Sequence, residues 1–390
     1  MTLKGLPLAV ALSGITFASL GAPYVPVSDN EVLLELAAIS RADQAQWREH
    51  RQSLAASPLD TQAATQLVTA YLEHATATAD ARYVSYAQGV LTPWRFDARP
   101  APAILVARAA VKQALHRFDD AVADLTLAIR AQPENPQARL MRANIHQVRG
   151  RFDDAAGDCA ALWRQVPAHI VQTCRAANAV SEDQVGRARV MLDGLLADSG
   201  DLPANELIWC LHTASELAWR QGDLPGAARY IERALLVAPD TPSLLTAQAD
   251  LLLEQRQYES VVARRYERVA DTGLMVRVAM AAKRLGIGRS DELARELRAR
   301  FAADAQRGDR RHLREEGMFA LHVIDDPDVA LELAQQNWAV QREAADRRLL
   351  IAAAARAGQP GAAEPVLTLL RNGLFDQSLA HADTQEGEQL

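Results

Sequence analysis

Aromatic residues are scarce in this 390-residue chain, at 5% of the total, and there are only three cysteines. So few large flat side chains suit Ala- and Leu-rich helix packing better than a β-sandwich. No stretch alternates apolar and polar residues over the length of a strand, so no sheet is expected. HExxH, GxSxG, CxxC and a glycine-rich phosphate loop are all missing, which removes the commonest catalytic and nucleotide-binding signatures. A basic balance is missing too: the formal net charge is −7. Nucleic-acid binders want a basic face, and anionic membranes attract cationic patches, so neither partner is expected. The nine histidines are scattered. His116 and His146 suit turn and packing roles better than a metal pair, and neither a metal nor a cofactor is expected.

What is present is a module written twice. Phe118-Asp119-Asp120-Ala121 returns as Phe152-Asp153-Asp154-Ala155, 34 residues later. Ala109 returns as Ala143 and Pro133 as Pro167 at the same interval. A fixed period of this length marks a helix–turn–helix repeat. Within the first copy, residues 104–115 carry apolar side chains at helical spacing. A second helix starts at Asp119, where acids suit the positive end of the helix dipole. It stops before Pro133, which cannot continue it. Ala109, Ala121 and Ala128 fall where helix axes approach most closely. A bulky replacement there would cost roughly 1–3 kcal/mol.

These residues resemble the tetratricopeptide repeat family, which prefers small residues, a turn glycine, an aromatic and a proline at set positions. The first copy matches with Ala109, Phe118, Ala121, Ala128 and Pro133, but has His116 in place of the glycine. The second matches with Ala143, Gly150, Phe152, Ala155 and Pro167, but Leu162 replaces a small residue. A further good copy has Gly222, Ala227, Ala234 and Pro239. The resemblance implies an all-α, right-handed superhelical solenoid of antiparallel helix hairpins. It divides the chain into an N-terminal helical cap with a degenerate hairpin (23–101), a repeat array (102–275) and degenerate C-terminal repeats (276–375). The clearest repeats span 102–135, 136–169, 208–241 and 242–275. Residues 376–390 are polar and acidic, and are expected to be a disordered tail. The three prolines and Trp94 in residues 92–102 suggest a linker or loop before the array.

Residues 1–22 have the pattern of an export signal: Lys4, a mainly apolar run from Leu6 to Leu20, and small residues before Ala22. The run is short for a membrane span, so no insertion is expected once it is cleaved; an uncleaved anchor is the alternative. The chain is thus similar to exported bacterial proteins built from such repeats, with a periplasmic location expected. In an oxidising compartment Cys159 and Cys174, placed almost symmetrically about Pro167, are candidates for a disulfide. Two small buried thiols are the alternative. Cys210 would remain free.

Family register also assigns a concave wall. It places Trp209, His212, Glu216 and Trp219 on one stripe, with Asn144, Asn178 and Asp250 at equivalent positions of other repeats. Two tryptophans on a groove wall suit peptide recognition; the alternative puts both in the core. The family's Lys/Asn clamp for C-terminal carboxylates is missing, because Val106 and Ala110 hold those positions. Trp47, Trp94, Trp163 and Trp338 are expected to be packing residues. The resulting expectation is a non-catalytic scaffold that binds a protein or peptide segment in its groove. The alternatives are a structural part of an envelope assembly using edge contacts, or an enzyme with a site in the groove.

Overall fold

The computed structural model describes residues 28, 39–97, 99–264, 266 and 271–380. The expected signal segment and residues 381–390 lie outside them, as does most of the start of the expected cap, residues 23–38. Among the described residues every regular element is helical. Helix α1 (Arg41–Ala56) is followed by nine hairpins. The first three are α2 (Thr61–Thr78) with α3 (Arg82–Val90), α4 (Pro102–Ala114) with α5 (Phe118–Ala131), and α6 (Pro136–Val148) with α7 (Phe152–Ala161). Next come α8 (Ala168–Ala177) with α9 (Glu182–Ala197), α10 (Ala204–Arg220) with α11 (Leu224–Val237), and α12 (Pro242–Glu254) with α13 (Tyr258–Ala263). The last three are α14 (Thr272–Arg284) with α15 (Arg289–Gln306), α16 (Leu313–Phe319) with α17 (Pro327–Trp338), and α18 (Ala344–Arg356) with α19 (Glu364–Arg371). The architecture is an all-α superhelical solenoid of the tetratricopeptide type.

Local chemistry sets these boundaries. Pro102, Pro136, Pro242 and Pro327 open helices at positions where a missing N–H costs nothing. Asp60, Asn135 and Asp271 accept the third N–H of the helices they precede. At the other end a left-handed residue closes the first helix of most hairpins. Gly150 and Gly222 supply it at φ 68° and 76°, but His116 and Arg256 do so at 55° and 57°. The same closure forms in both kinds of turn. Arg151 N–H donates to the His146 carbonyl at 2.8 Å, and Gln257 N–H donates to the Leu252 carbonyl at 2.8 Å. The repeat thus persists in the backbone where the glycine is gone from the sequence. Ala109, Ala121, Ala128, Ala143 and Ala155 are all fully buried between helices.

A paired charge is also repeated. Arg108 forks onto Asp124 through Nε (2.8 Å) and Nη2 (2.6 Å). One repeat later Arg142 forks onto Asp158 at 2.8 and 2.7 Å. Both aspartates are buried, so each hairpin carries an ion pair between its two helices.

Three expectations need correcting. The described residues of the stretch from 92 to 102 form a packed loop and not a linker: Thr92–Trp94 forms a 3₁₀ turn, Trp94 is buried, and Arg108 reaches its carbonyl at 3.4 Å. The start of the expected tail is also ordered. Asp376, Ser378 and Leu379 are buried, because Asp376 pairs with Arg347 at 3.2 Å and also accepts from the Ser378 hydroxyl at 2.6 Å. Trp163 is 63% exposed rather than packed, while Trp47, Trp94 and Trp338 are buried. It follows Cys159 and Leu162, which take the inward positions at that helix end.

The C-terminal hairpins do not continue outward as an open array would. They return to the turns of earlier repeats. Arg149 donates to the carbonyls of Ala339 (2.6 Å) and Val340 (2.8 Å), and Arg342 N–H donates to the Val148 carbonyl at 2.8 Å. Phe375 N–H donates to the Val180 carbonyl at 2.9 Å. Val340 packs on the core of α4–α6, and Phe375 on the core around α9–α11. Gly150 lies against the Arg342 side chain, and Gly222 against Gln377. Successive repeat turns therefore receive successive parts of the C-terminal region.

Candidate functional site

Inside this closure lies a chamber of about 740 Å³. All nine first helices, α2 through α18 by alternate elements, contribute residues to its wall. Trp209, His212, Glu216 and Trp219 all face it, because their three- and four-residue spacing keeps them on one side of α10. Asn144 and Asp250 face it as well. Asn178 is not drawn in: it ends α8, and its amide donates to the Phe152 carbonyl at 2.8 Å.

The residues gathered there differ in what they can offer. His212 is exposed, and Trp209 and Glu216 are half-buried. Asn144 is exposed, with its oxygen accepting from Gln113 at 3.0 Å. Asp250 is already committed: Arg277 forks onto it at 2.7 and 2.9 Å. Trp219 is not the exposed anchor the stripe suggested. It is 8% exposed and sits in the core of α9–α12, and the Arg348 guanidinium lies 3.9 Å from its ring centroid. The groove side of Trp219 is thus covered by the chain's own α18. Trp209 packs beside Cys159 and Cys174, which are joined in a disulfide with Cα atoms 5.7 Å apart. Cys210 is a buried free thiol, 3.0 Å from the Thr173 hydroxyl, and burial pushes its pKa up.

The arginines near the chamber fall into two sets. Arg277 and Arg314 are held well by acids, Arg314 bonding Asp346 and Glu343, each at 2.6 Å. Those partners outweigh burial and raise both pKa values. Arg220 and Arg342 go the other way. Burial pushes Arg220 down, and Arg347 adds repulsion. Burial also pushes Arg342 down, with Arg149 and Arg151 adding to it. Their hydrogen bonds end on backbone carbonyls, not carboxylates. These two arginines stand at the closure seam, and sequence reasoning missed both. Nothing local marks their place at the seam: the Arg220 partners lie 40 to 155 residues away, and Arg342 reaches Val148 through its backbone N–H. The forks at Arg108/Asp124 and Arg142/Asp158 did carry a signal, the shared 34-residue spacing of both members.

His116 and His146 serve turn and core positions in neighbouring hairpins. His116 takes the left-handed turn conformation and stacks on Phe118 with centroids 5.3 Å apart. Burial, helped by Arg314, pushes it down to about 4. No group of three metal-ligating side chains occurs among the described residues.

Stacked hairpins of this length, with small residues at the close approaches of the clearest repeats, define a helical-repeat solenoid protein. The tetratricopeptide repeat model matches residues 106–169 and 212–260, so these stretches are similar to tetratricopeptide repeats. The repeats point to a protein–protein interaction scaffold. Among solved structures the chain is similar to human IFIT1, from a dimer with PPP-AAAA, at 15% identity and a TM-score of 0.44 over 84% of this chain and 87% of that one. It is also similar to yeast Tom70, at 9% identity and a TM-score of 0.25 over 88% of this chain and 94% of that one. The P58(IPK) TPR domain aligns at 14% identity with a TM-score of 0.22, over 88% and 97%. No curated protein matches the chain.

Proposed function

We propose that this protein is a non-catalytic scaffold whose concave chamber holds a segment of a protein partner, outside the cytoplasm. The observation that carries the reading is the convergence of Trp209, His212, Glu216 and Asn144 on one chamber wall from two separate repeats. Partly exposed Trp209 offers apolar area, and the exposed His212 and Asn144 offer polar groups to a backbone. The location rests on the signal-like pattern of residues 1–22 and on the Cys159–Cys174 disulfide, which suits an oxidising compartment.

Site-specific photo-crosslinking in the native host tests the groove directly. A crosslinker replacing Asn144 in the chamber is compared with one replacing Val190, which is exposed on α9. The expected outcome is a discrete crosslinked partner from the first position only. Equal yield from both positions would favour contacts along the outside and reject the groove.

A further inference from the structure

The wall of the chamber contains a cation with an unusual arrangement. Arg348 lays its guanidinium over Trp219 at 3.9 Å and makes one side-chain hydrogen bond, from Nη1 to the Ser378 hydroxyl at 3.2 Å. No carboxylate pairs with it among the described residues. Stacking on a ring fixes the plane of a guanidinium and leaves its edge N–H groups pointing outward. Such a pre-oriented fork is the group that best receives a carboxylate. Arg348 is half-buried, so the fork is partly desolvated without being sealed off.

Its surroundings do not neutralise it. Arg347, the next residue, is buried and holds Asp376, while Arg220 is buried and bonded to carbonyl oxygens alone. Arg347, Asp376 and the half-buried Glu216 act on Arg220, while Asp250 and Glu254 line the second cavity with Arg348, Asp250 being held by Arg277. Burial chiefly depresses the Arg220 pKa, and Arg347 adds repulsion to it. Arg347 Nε and Trp219 Nε1 are both buried donors without a partner.

The position of the pair matters as much as its charge. A second cavity of about 440 Å³ adjoins the chamber, and Trp219 and Arg348 line both. A ligand entering either space meets the same guanidinium. Trp209 lies nearly three turns up the same helix face, and Asn144 faces the chamber from α6. An apolar side chain, a backbone amide and a carboxylate would therefore find contacts along one path.

We propose that the Trp219–Arg348 pair is a carboxylate-binding subsite, and that the partner segment held in the chamber is an acidic peptide. This rests on the reading of the chamber as a peptide groove and adds the chemistry of the segment. The arrangement differs from a Lys/Asn clamp in the first repeat, because the cation comes from the last hairpin and its face is set by a tryptophan.

Fluorescence anisotropy with the full chain tests it. The probes are three fluorescein-labelled hexapeptides alternating Leu with Asp, Asn or Lys. The Asp peptide should bind about tenfold tighter than the Asn peptide, the value of one charge-assisted hydrogen-bonded pair. That margin should shrink as salt rises. Arg348→Gln should remove the margin while leaving the Asn peptide unchanged. Arg348→Lys, which keeps charge and stem but not the fork, should retain part of it, and it serves if the Gln variant does not fold. Arg371→Gln, on the exposed end of α19, should change nothing. Equal affinity of wild type and Arg348→Gln for the Asp peptide would overturn the subsite. So would tightest binding of the Lys peptide, and so would no binding of any peptide. The crosslinking comparison decides the groove separately, so a partner captured at Asn144 with no acidic preference would reject the subsite alone.

Discussion

Arg220 donates from Nη2 to the carbonyl oxygen of Phe375 at 2.7 Å, joining residues 155 positions apart. The same guanidinium also bonds the carbonyls of Ala179 (2.8 Å) and Val180 (3.1 Å). One side chain therefore ties α10 to the turn of the preceding hairpin and to the C-terminal segment.

Arg220→Met should leave the Ala179 and Phe375 carbonyls without this donor, while Val180 keeps the Phe375 N–H, and cost about 3 kcal/mol. Hydrogen exchange gives the sharper readout. Protection of the Phe375 amide, which donates to Val180, should fall well before that of α4 or α6. Unchanged exchange at Phe375 would mean that the closure does not depend on this residue.

The ion pair of Arg142 with Asp158 should show strong coupling. Removing Arg142 leaves the buried Asp158 with only the longer Arg139 contact at 3.7 Å, and removing Asp158 leaves Arg142 without its carboxylate, each at about 3 kcal/mol. The Arg142→Met, Asp158→Leu double variant should lose much less than the sum of the two singles. Denaturant melts of the three variants measure the coupling directly. Additive losses would show that the fork contributes nothing as a pair.

Much of the fold was legible because the repeat is written in side chains that pack. Ala121 and Ala155 have no room to vary, so the period survives in letters. The hairpin at Arg256 was less legible, since the turn keeps its left-handed backbone with an arginine where glycine is expected. The closure was not legible at all. Its bonds run from side chains to carbonyl oxygens, and any residue supplies a carbonyl. Register placed Trp219 on the chamber side correctly, but it could not show that Arg348 from a distant hairpin covers the ring.

Arg256→Gly should stabilise the protein by about 1 kcal/mol, because glycine adopts this conformation without the Cβ penalty. Arg256 is exposed, so little packing is lost. A rise of a few degrees in melting temperature is expected. A fall would mean that the side chain has a stabilising role outweighing its backbone strain.

The two chamber tryptophans should part company on truncation. Trp219→Ala removes a core ring and should cost about 3–5 kcal/mol. Trp209→Ala, at a half-buried position, should cost less. Thermal melts in parallel check the order, and equal losses would show that Trp209 is as much a core residue as Trp219.

Acid should weaken the fold over a defined window. His116 and His322 are both held down at about 4 from an ordinary 6.5, chiefly by burial, with Arg314 adding at the first and Arg284 at the second. Between those values the unfolded chain takes up protons that the folded chain refuses. Their contribution is complete above pH 6.5 and is lost as pH falls towards 4, on the order of 3 kcal/mol for each. Melting temperatures of wild type and a His116→Asn, His322→Asn variant should diverge above this window and converge at its acid end. Asparagine suits the left-handed turn at position 116. Identical acid slopes would remove the two histidines as the cause.

An open helical array is modular: units can be gained or lost at an end, and each unit senses only its neighbours. Joining Val148 to Arg342 and Val180 to Phe375 makes the chain behave as a ring instead. A ring fixes its own copy number, because one hairpin more or fewer would carry the C-terminal segment past the turns that receive it. It also couples distant units, so that loosening α6 is felt at α18 without passing through the hairpins between. Thermal unfolding should therefore be a single cooperative step rather than a fraying from the ends.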